Sequence, residues 1–268
     1  MTKKPGILGR AYSVLILFFL YAPIFVLIAF SFNSSRSRSV WTGFTFEWYA
    51  SLLHDSAIMS AFYTTIIIAV ISSITATVAG TFAAIGFFNM SRRWRMPLVQ
   101  VNNIPMMNAE IVTGVSLALL FVSLGGALRF NLGFGTLLVA HITFCIPYVV
   151  LSIMPKLRQL DSNLVDAALD LGCTWFKAFR KVIVPEIMPG IINGLIIAFT
   201  LSVDDFVISY FTAGGNVMTL PMQIFAMTRR RISPKINALS TVLFLTVLVL
   251  LIVINIREAR EDERNKQQ

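Results

Sequence analysis

A chain of 268 residues that is 56% hydrophobic and 13% charged, with a mean hydropathy of +0.77, is too apolar for an ordinary soluble domain and reads as an all-α polytopic membrane protein. Its net charge of +9 would suit nucleic acid or an anionic substrate, but the Lys and Arg residues fall at the ends of apolar runs, where orientation in a bilayer accounts for them better. Two cysteines, Cys145 in an expected span and Cys173 in a polar segment, are read as free thiols.

Lys3, Lys4 and Arg10 precede an apolar run over 11–32 that is longer than a signal-peptide core and lacks a small-residue cleavage pattern after it, so it is read as a retained first span. At about 1.5 Å per residue it crosses a hydrocarbon core of about 30 Å. A loop over 33–57 carries Trp41, Phe44, Phe46, Trp48 and Tyr49, and a second span covers 59–88. Arg92, Arg93 and Arg95 mark a short basic turn of the kind that stays inside. The third span, 97–124, contains Asn102, Asn103, Pro105, Asn108 and Glu110, which an uninterrupted lipid-facing helix would not tolerate, so a helix broken at Pro105 and facing protein or water is expected. A turn over 125–135 leads to a fourth span, 136–154, with His141 and Pro147 inside it. After a polar segment over 155–186 come a fifth span, 187–211, carrying Asp204 and Asp205, a loop to Lys235, a sixth span, 236–256, and a charged tail. Six transmembrane helices put both termini on the same side, and with the N-terminus cytoplasmic, fifteen of the 22 Lys and Arg residues lie inside. The cluster Arg229 to Arg231 falls outside in this layout, and nothing in the sequence explains it.

The polar segment reads as a docking surface. An acidic start, two alanines, a glycine break, an aromatic and basic second half and a Val-Pro stop give two short helices joined by a tight turn between Asp166 and Pro189. Trp175, Phe179 and Val182 recur at helical spacing as an apolar stripe, and an amphipathic helix lying on the membrane is the competing reading. No G-x-x-x-x-G-K-[ST] phosphate loop, Cys/His metal spacing or nucleophile elbow occurs, so any ATP used by the system is bound by another chain.

Asp166-Ala167-Ala168, with Gly172 six residues after the acid and Pro185 thirteen after the glycine, resembles the E-A-A-x-x-x-G…L-P motif of ABC-importer permeases, with Asp166 in place of Glu and Val184 in place of Leu. The resemblance implies a coupling helix that sits in a cleft of a separate ATPase subunit, with Asp166, Ala167, Ala168, Gly172 and Pro185 as its coupling residues. Phe32-Asn33-Ser34-Ser35, Trp48-Tyr49, the run from His141 to Cys145, Asp170-Leu171-Gly172, the run from Phe199 to Asp205 and Asn237-Ala238-Leu239 extend it over nearly the whole chain, which resembles the PotC/PotI family of spermidine/putrescine permeases. That family implies a MetI-like type I importer fold in a bacterial inner membrane, a PotB-like second permease, two copies of a PotA-like ATPase holding ATP and Mg, and a PotD-like polyamine-binding protein. It implies no cofactor in this chain and no nucleic-acid partner.

The residues themselves point to a cation pathway. Glu110, Asp204 and Asp205 are expected at membrane depth with no Lys or Arg there. A central Asp costs about 2.5–3.5 kcal/mol on insertion scales, so the adjacent pair would cost about 5–7 kcal/mol if both faced lipid, and a cavity or partner must receive them. On a regular helix the two side chains diverge by about 100°, so one faces the path and the other a subunit contact or a helix break; Asp204 is favoured for the path, with Ser202 beside it. Glu110 follows the Pro105 break, where a freed helix N-terminus stabilises a carboxylate. In the polyamine family the matching acid is associated with the path. Trp48 and Tyr49 suit either a cation–π contact with an entering ammonium or interfacial anchoring. His141 invites a proton relay, but a helix–helix hydrogen bond is the plainer role. The function expected is polyamine import by alternating access, driven by a separate ATPase. A proton-coupled secondary cation transporter is the alternative; a membrane-embedded enzyme lacks the paired nucleophile and base.

Overall fold

The computed structural model describes residues 7–35, 40–160, 167–230 and 234–266, and falls into two compact units, Met1–Met59 with Gln223–Thr246 and Ser60–Met222 with Val247–Gln268. The described residues are almost entirely helical. Five helices are long and apolar enough to cross a membrane, and Pro234–Val249 is a shorter apolar stretch.

In the first unit, α1 (Ile7–Ser31) is apolar on all sides, the composition of a helix whose surroundings are not water. Its end is tied down by Asn33, which is 0% exposed. The Asn33 amide donates to the Val40 carbonyl (2.8 Å) and accepts from the backbone N–H of Ser35 (3.2 Å) and Thr42 (3.1 Å). Phe32 stacks on Phe44 at 5.1 Å and meets Phe46 edge-on at 5.4 Å, closing a small aromatic cluster. A short helix, α2 (Glu47–Leu53), stands where only loop is expected from sequence. Asp55 then starts α3 (Ser56–Asn89), accepting from the N–H groups of Ala57 and Ile58, and its carboxylate pairs with Lys235 at 2.5 Å. Lys235 opens α10 (Pro234–Lys266), which is preceded by α9 (Leu220–Arg230).

The second unit is built on the crossing of α6 (Phe134–Gln159) with α7 (Trp175–Asp204). Along α7 every fourth residue is small: Gly190, Gly194, Ala198, Ser202. A small-residue stripe lets two backbones approach in a membrane, where no hydrophobic force drives helices together. A Cβ on Gly190 would lie 3.1 Å from the Ser152 carbonyl oxygen, and one on Gly194 3.3 Å from the Val149 Cα. Ser152 Oγ donates to the Gly190 carbonyl (3.0 Å) and Cys145 Sγ to that of Ala198 (3.5 Å). Val149, Ile153, Leu157 and Ile187 fill the contact and are fully buried. α3 reaches the same place through Gly80, where a Cβ would stand 2.7 Å from Val149 Cγ1. Cys145 and Cys173 are free.

Two breaks differ from the sequence expectation. The interruption of 97–124 separates α4 (Arg92–Met107) from α5 (Glu110–Leu128), but it falls at Asn108 and Ala109, whose ψ angles are 150° and 135°, and not at Pro105. Pro105 only removes an N–H from the last turn of α4, which still closes with the Asn108 N–H on the Ile104 carbonyl (3.1 Å). Gly125 and Gly126 accordingly lie inside α5 and not in a turn. The expected stop at Val184-Pro185 does not occur either. The chain absorbs the missing Pro185 N–H with a π turn over Phe179–Ile183, in which the Val184 N–H bonds back to the Phe179 carbonyl, and continues as one helix from Trp175. That helix ends at Asp204; Asp205 is extended (ψ 122°), and a short α8 (Val207–Thr212) follows, where 187–211 is expected to be continuous.

Candidate functional site

The break after α7 opens a cavity of about 200 Å³. Thr200, Leu201 and Asp204 come from the last turn of α7, Phe206 and Val207 from the start of α8, Phe144 from α6, and Glu110 from the first turn of α5. Asp205 borders the cavity, and among the described residues no Lys or Arg lines it. Glu110 and Asp204 are both exposed. Glu110 stands in the first turn of α5, at the positive end of that helix's dipole. Two carboxylates beside two phenyl rings form a surface for a cation with an apolar stem: the acids pair with the charged end, and the rings attract an ammonium through their faces or cover methylenes.

Asp205 has a different environment. It is buried, and its oxygens accept from the N–H of Ile208 (3.2 Å), the N–H of Ser209 (2.7 Å) and the Ser209 hydroxyl (2.8 Å). His141 Nε2 lies 3.4 Å from the same carboxylate. These bonds start α8 and leave few lone pairs for a passing ligand. Ser202, expected beside the path, is also buried; its hydroxyl contacts His141 Nδ1 (2.7 Å) and Ser72 Oγ (3.0 Å) and does not line the cavity. His141 thus makes the helix–helix contact expected of it, joining α6 to α7 and α8.

Trp48 and Tyr49 belong to the other unit. Trp48 Nε1 donates to the Asn33 carbonyl (2.7 Å), the Tyr49 hydroxyl is 2.6 Å from Ser31 Oγ, and the Tyr49 ring packs on Phe32 at 5.2 Å. Their polar atoms are engaged by their own unit, an arrangement that anchors α2 under the end of α1.

Of the coupling residues, Asp166 lies outside the described residues. Residues 167–170 form a helical turn that closes with the Cys173 N–H on the Ala168 carbonyl (3.1 Å) and the Gly172 N–H on that of Leu169 (2.9 Å). This pairing needs a left-handed residue at its centre, and Gly172 supplies it with φ +80°. The turn leaves Leu171 86% exposed, and the rings of Trp175 and Phe176 that follow in the chain are exposed as well. Trp175 stacks on Phe179 at 5.6 Å, so the stripe seen in the sequence is real but partly uncovered. Pro185 sits in α7, after the π turn, and not at the end of a coupling helix.

Phe144, Thr200 and Phe206 in the cavity wall, and Ser72 and Ser209 in the buried contact, were not legible as site residues. Asp205 as the start of a helix was missed as well, since 187–211 is expected to be continuous; an Asp two residues before the helical run at Val207 is the signal that could have found it. Among the described residues no group of three or more His, Cys, Asp or Glu is placed to hold a metal ion.

The model of a family described as binding-protein-dependent transport system inner membrane components matches residues 76–259. The chain is 42% identical to the putrescine transport system permease protein PotI of Escherichia coli strain K12 over 84% of its own length and 81% of the relative. It is 38% identical to the spermidine/putrescine transport system permease protein PotC of the same strain, over 87% of each. Among solved structures it is similar, at a TM-score of 0.70 and 15% identity, to a chain of a bacterial ABC transporter involved in the import of the acidic polysaccharide alginate, covering 95% of this chain and 99% of that one.

Proposed function

Because this chain belongs to the family of binding-protein-dependent transport system inner membrane components, we propose that it is the permease subunit through which an ATP-driven importer passes polyamines, spermidine or putrescine. The observation that carries the reading is the cavity at the α7 break, which offers Glu110 and Asp204 with no basic residue among the described residues of its lining. A polyamine is a flexible alkyl chain bearing ammonium groups, the chemistry that two acids and two phenyl rings receive. The names of relatives at 42% and 38% identity support the same substrate class.

The remaining parts follow from the transport role. A PotB-like second permease completes the pathway, two copies of a PotA-like ATPase bind ATP and Mg, and a PotD-like binding protein delivers the polyamine from outside. The turn at Ala167, Ala168 and Gly172, together with Asp166, meets the ATPase, and Pro185 marks where the coupling segment passes into α7. Both termini are cytoplasmic. This chain makes and breaks no covalent bond; it holds the cation, and alternating access moves it.

The test is uptake of labelled spermidine and putrescine by the reconstituted importer. Asp204→Asn and Glu110→Gln each lower uptake by about tenfold or more, the size of one lost charge-assisted contact, with assembly unchanged. Full uptake in both variants would overturn the assignment.

A further inference from the structure

We propose that His141 is the positioning residue that turns Asp204 into the cavity, an inference that rests on the reading of Asp204 as the pathway carboxylate. The imidazole is 1% exposed and meets the Phe144 ring edge-on at 5.7 Å, so its orientation is fixed by packing. Its two nitrogens reach two different helices. Nδ1 is 2.7 Å from Ser202 Oγ near the end of α7, and Nε2 is 3.0 Å from Ser209 Oγ in α8. Ser202 in turn lies 3.0 Å from Ser72 of α3, so α3, α6, α7 and α8 share one polar contact.

Donor accounting gives the contact a direction. The Ser209 hydroxyl donates to Asp205 Oδ2 (2.8 Å), so its oxygen accepts from His141 Nε2–H. With the proton on Nε2, Nδ1 accepts from the Ser202 hydroxyl, and the Ser72 hydroxyl lies between Ser202 Oγ (3.0 Å) and the Ala69 carbonyl (3.3 Å), to which it donates. Every member has a partner, which a buried polar set requires.

The consequence for Asp204 is geometric. Asp205 leaves α7 in an extended conformation, and both of its oxygens are held by the first turn of α8. Ser209 and the imidazole fasten that turn to α6. With Asp205 drawn into the helix contact, the side chain before it is left on the other side of the break, where Glu110, Phe144 and Phe206 form the cavity. His141 touches no ligand; it acts through Asp205.

The experiment reads the direction of position 204 without reference to transport. In an importer assembled with cysteine-free partner chains, Cys173→Ala with Asp204→Cys leaves one accessible thiol, because Cys145 is buried, and its labelling rate by a cationic methanethiosulfonate reports whether it faces the cavity. His141→Gln places its amide at the Nε2 end and keeps the Ser209 side of the contact; His141→Asn keeps only the Ser202 side. Labelling in the Gln variant stays within about twofold of the parent, and in the Asn variant it slows about fivefold, the equivalent of one net hydrogen bond. With Asp204 restored, polyamine carried per ATP hydrolysed falls about fivefold in the Asn variant and recovers in the Gln variant. Equal labelling in all three proteins, or equal loss in Asn and Gln, would reduce His141 to packing and overturn the proposal. Should His141→Asn fail to assemble, Ser209→Ala removes the hydroxyl between ring and carboxylate with the ring in place, and the same slowing is expected; labelling unchanged from the parent would overturn the proposal there. Undiminished uptake in Asp204→Asn would sink the pathway reading and leave the labelling result standing.

Discussion

Asp205 accepts from two backbone N–H groups and one hydroxyl, so replacing it with Ala strands three donors in the buried contact between α7 and α8. The expected cost is about 1–3 kcal/mol, seen as a lower denaturation temperature of the detergent-purified protein, with Asp205→Asn milder because one oxygen remains. Asp204→Asn, at an exposed position, leaves that temperature unchanged and acts on uptake alone. The sequence shows that adjacent acids on a helix diverge, but their separate environments depend on His141 and Ser209, which adjacency does not indicate. Asp55 makes a different test. Lys235 holds its carboxyl below the ordinary value of 3.8, chiefly through their hydrogen bond, while partial burial opposes this. A depressed carboxylate contributes stability that is present above its unfolded pKa and lost as pH falls through the folded value. Denaturation temperature should therefore hold from neutral pH down to about 4 and fall below it, and Asp55→Asn should flatten that fall. The pair is partly exposed, so the effect is small.

The turn at Gly172, proposed to meet the ATPase, depends on a single backbone angle. A Cβ at Gly172 would meet nothing within 4 Å among the described residues, so the cost of Gly172→Ala is that of the left-handed conformation, about 1–2 kcal/mol. Weaker association with the ATPase, measured by co-purification, is the expected result, and Asn at the same position is better tolerated than Ala. Gly190 gives the contrasting case, since its φ is ordinary and its Cβ would press on the Ser152 carbonyl and the Ile153 Cα at 3.1 and 3.2 Å. Gly190→Val should force α6 and α7 apart and cost about 1–3 kcal/mol in stability, with the coupling turn untouched. Only Gly172 stands out in the sequence, where the acid-glycine-proline spacing locates the turn; Gly190 shows its role only against Ser152 and Ile153. The fate of Pro185 is not legible there. A proline usually ends a helix, and only the alignment of α7 against α6 from Ile187 onward shows why a π turn is tolerated in exchange for continuity.

For the whole molecule, the apolar runs are plain in the sequence because a hydrocarbon core requires them, and the uncompensated acids are plain because a bilayer penalises them. Helix ends are less so, since they depend on hydrogen bonds between residues far apart, as with Thr136 and the Thr212 carbonyl. An importer permease draws its energy from nucleotide on another subunit, so uptake should stop when the ATPase is omitted from proteoliposomes and persist when a proton ionophore is added. Uptake without the ATPase would place the chain among proton-coupled carriers instead.

The unbroken helix from Trp175 to Asp204 has one further consequence. Its 30 residues span about 45 Å at the α-helical rise, with the exposed aromatic end at one extreme and the cavity acid at the other. It is a lever arm. Pivoted near one end, a tilt of about 5° sweeps the other end through about 4 Å, comparable to the width of an alkyl chain. The π turn at Phe179–Ile183 interrupts the α-helical geometry of that arm, and stiffening or softening it should alter how far a push at one end is felt at the other.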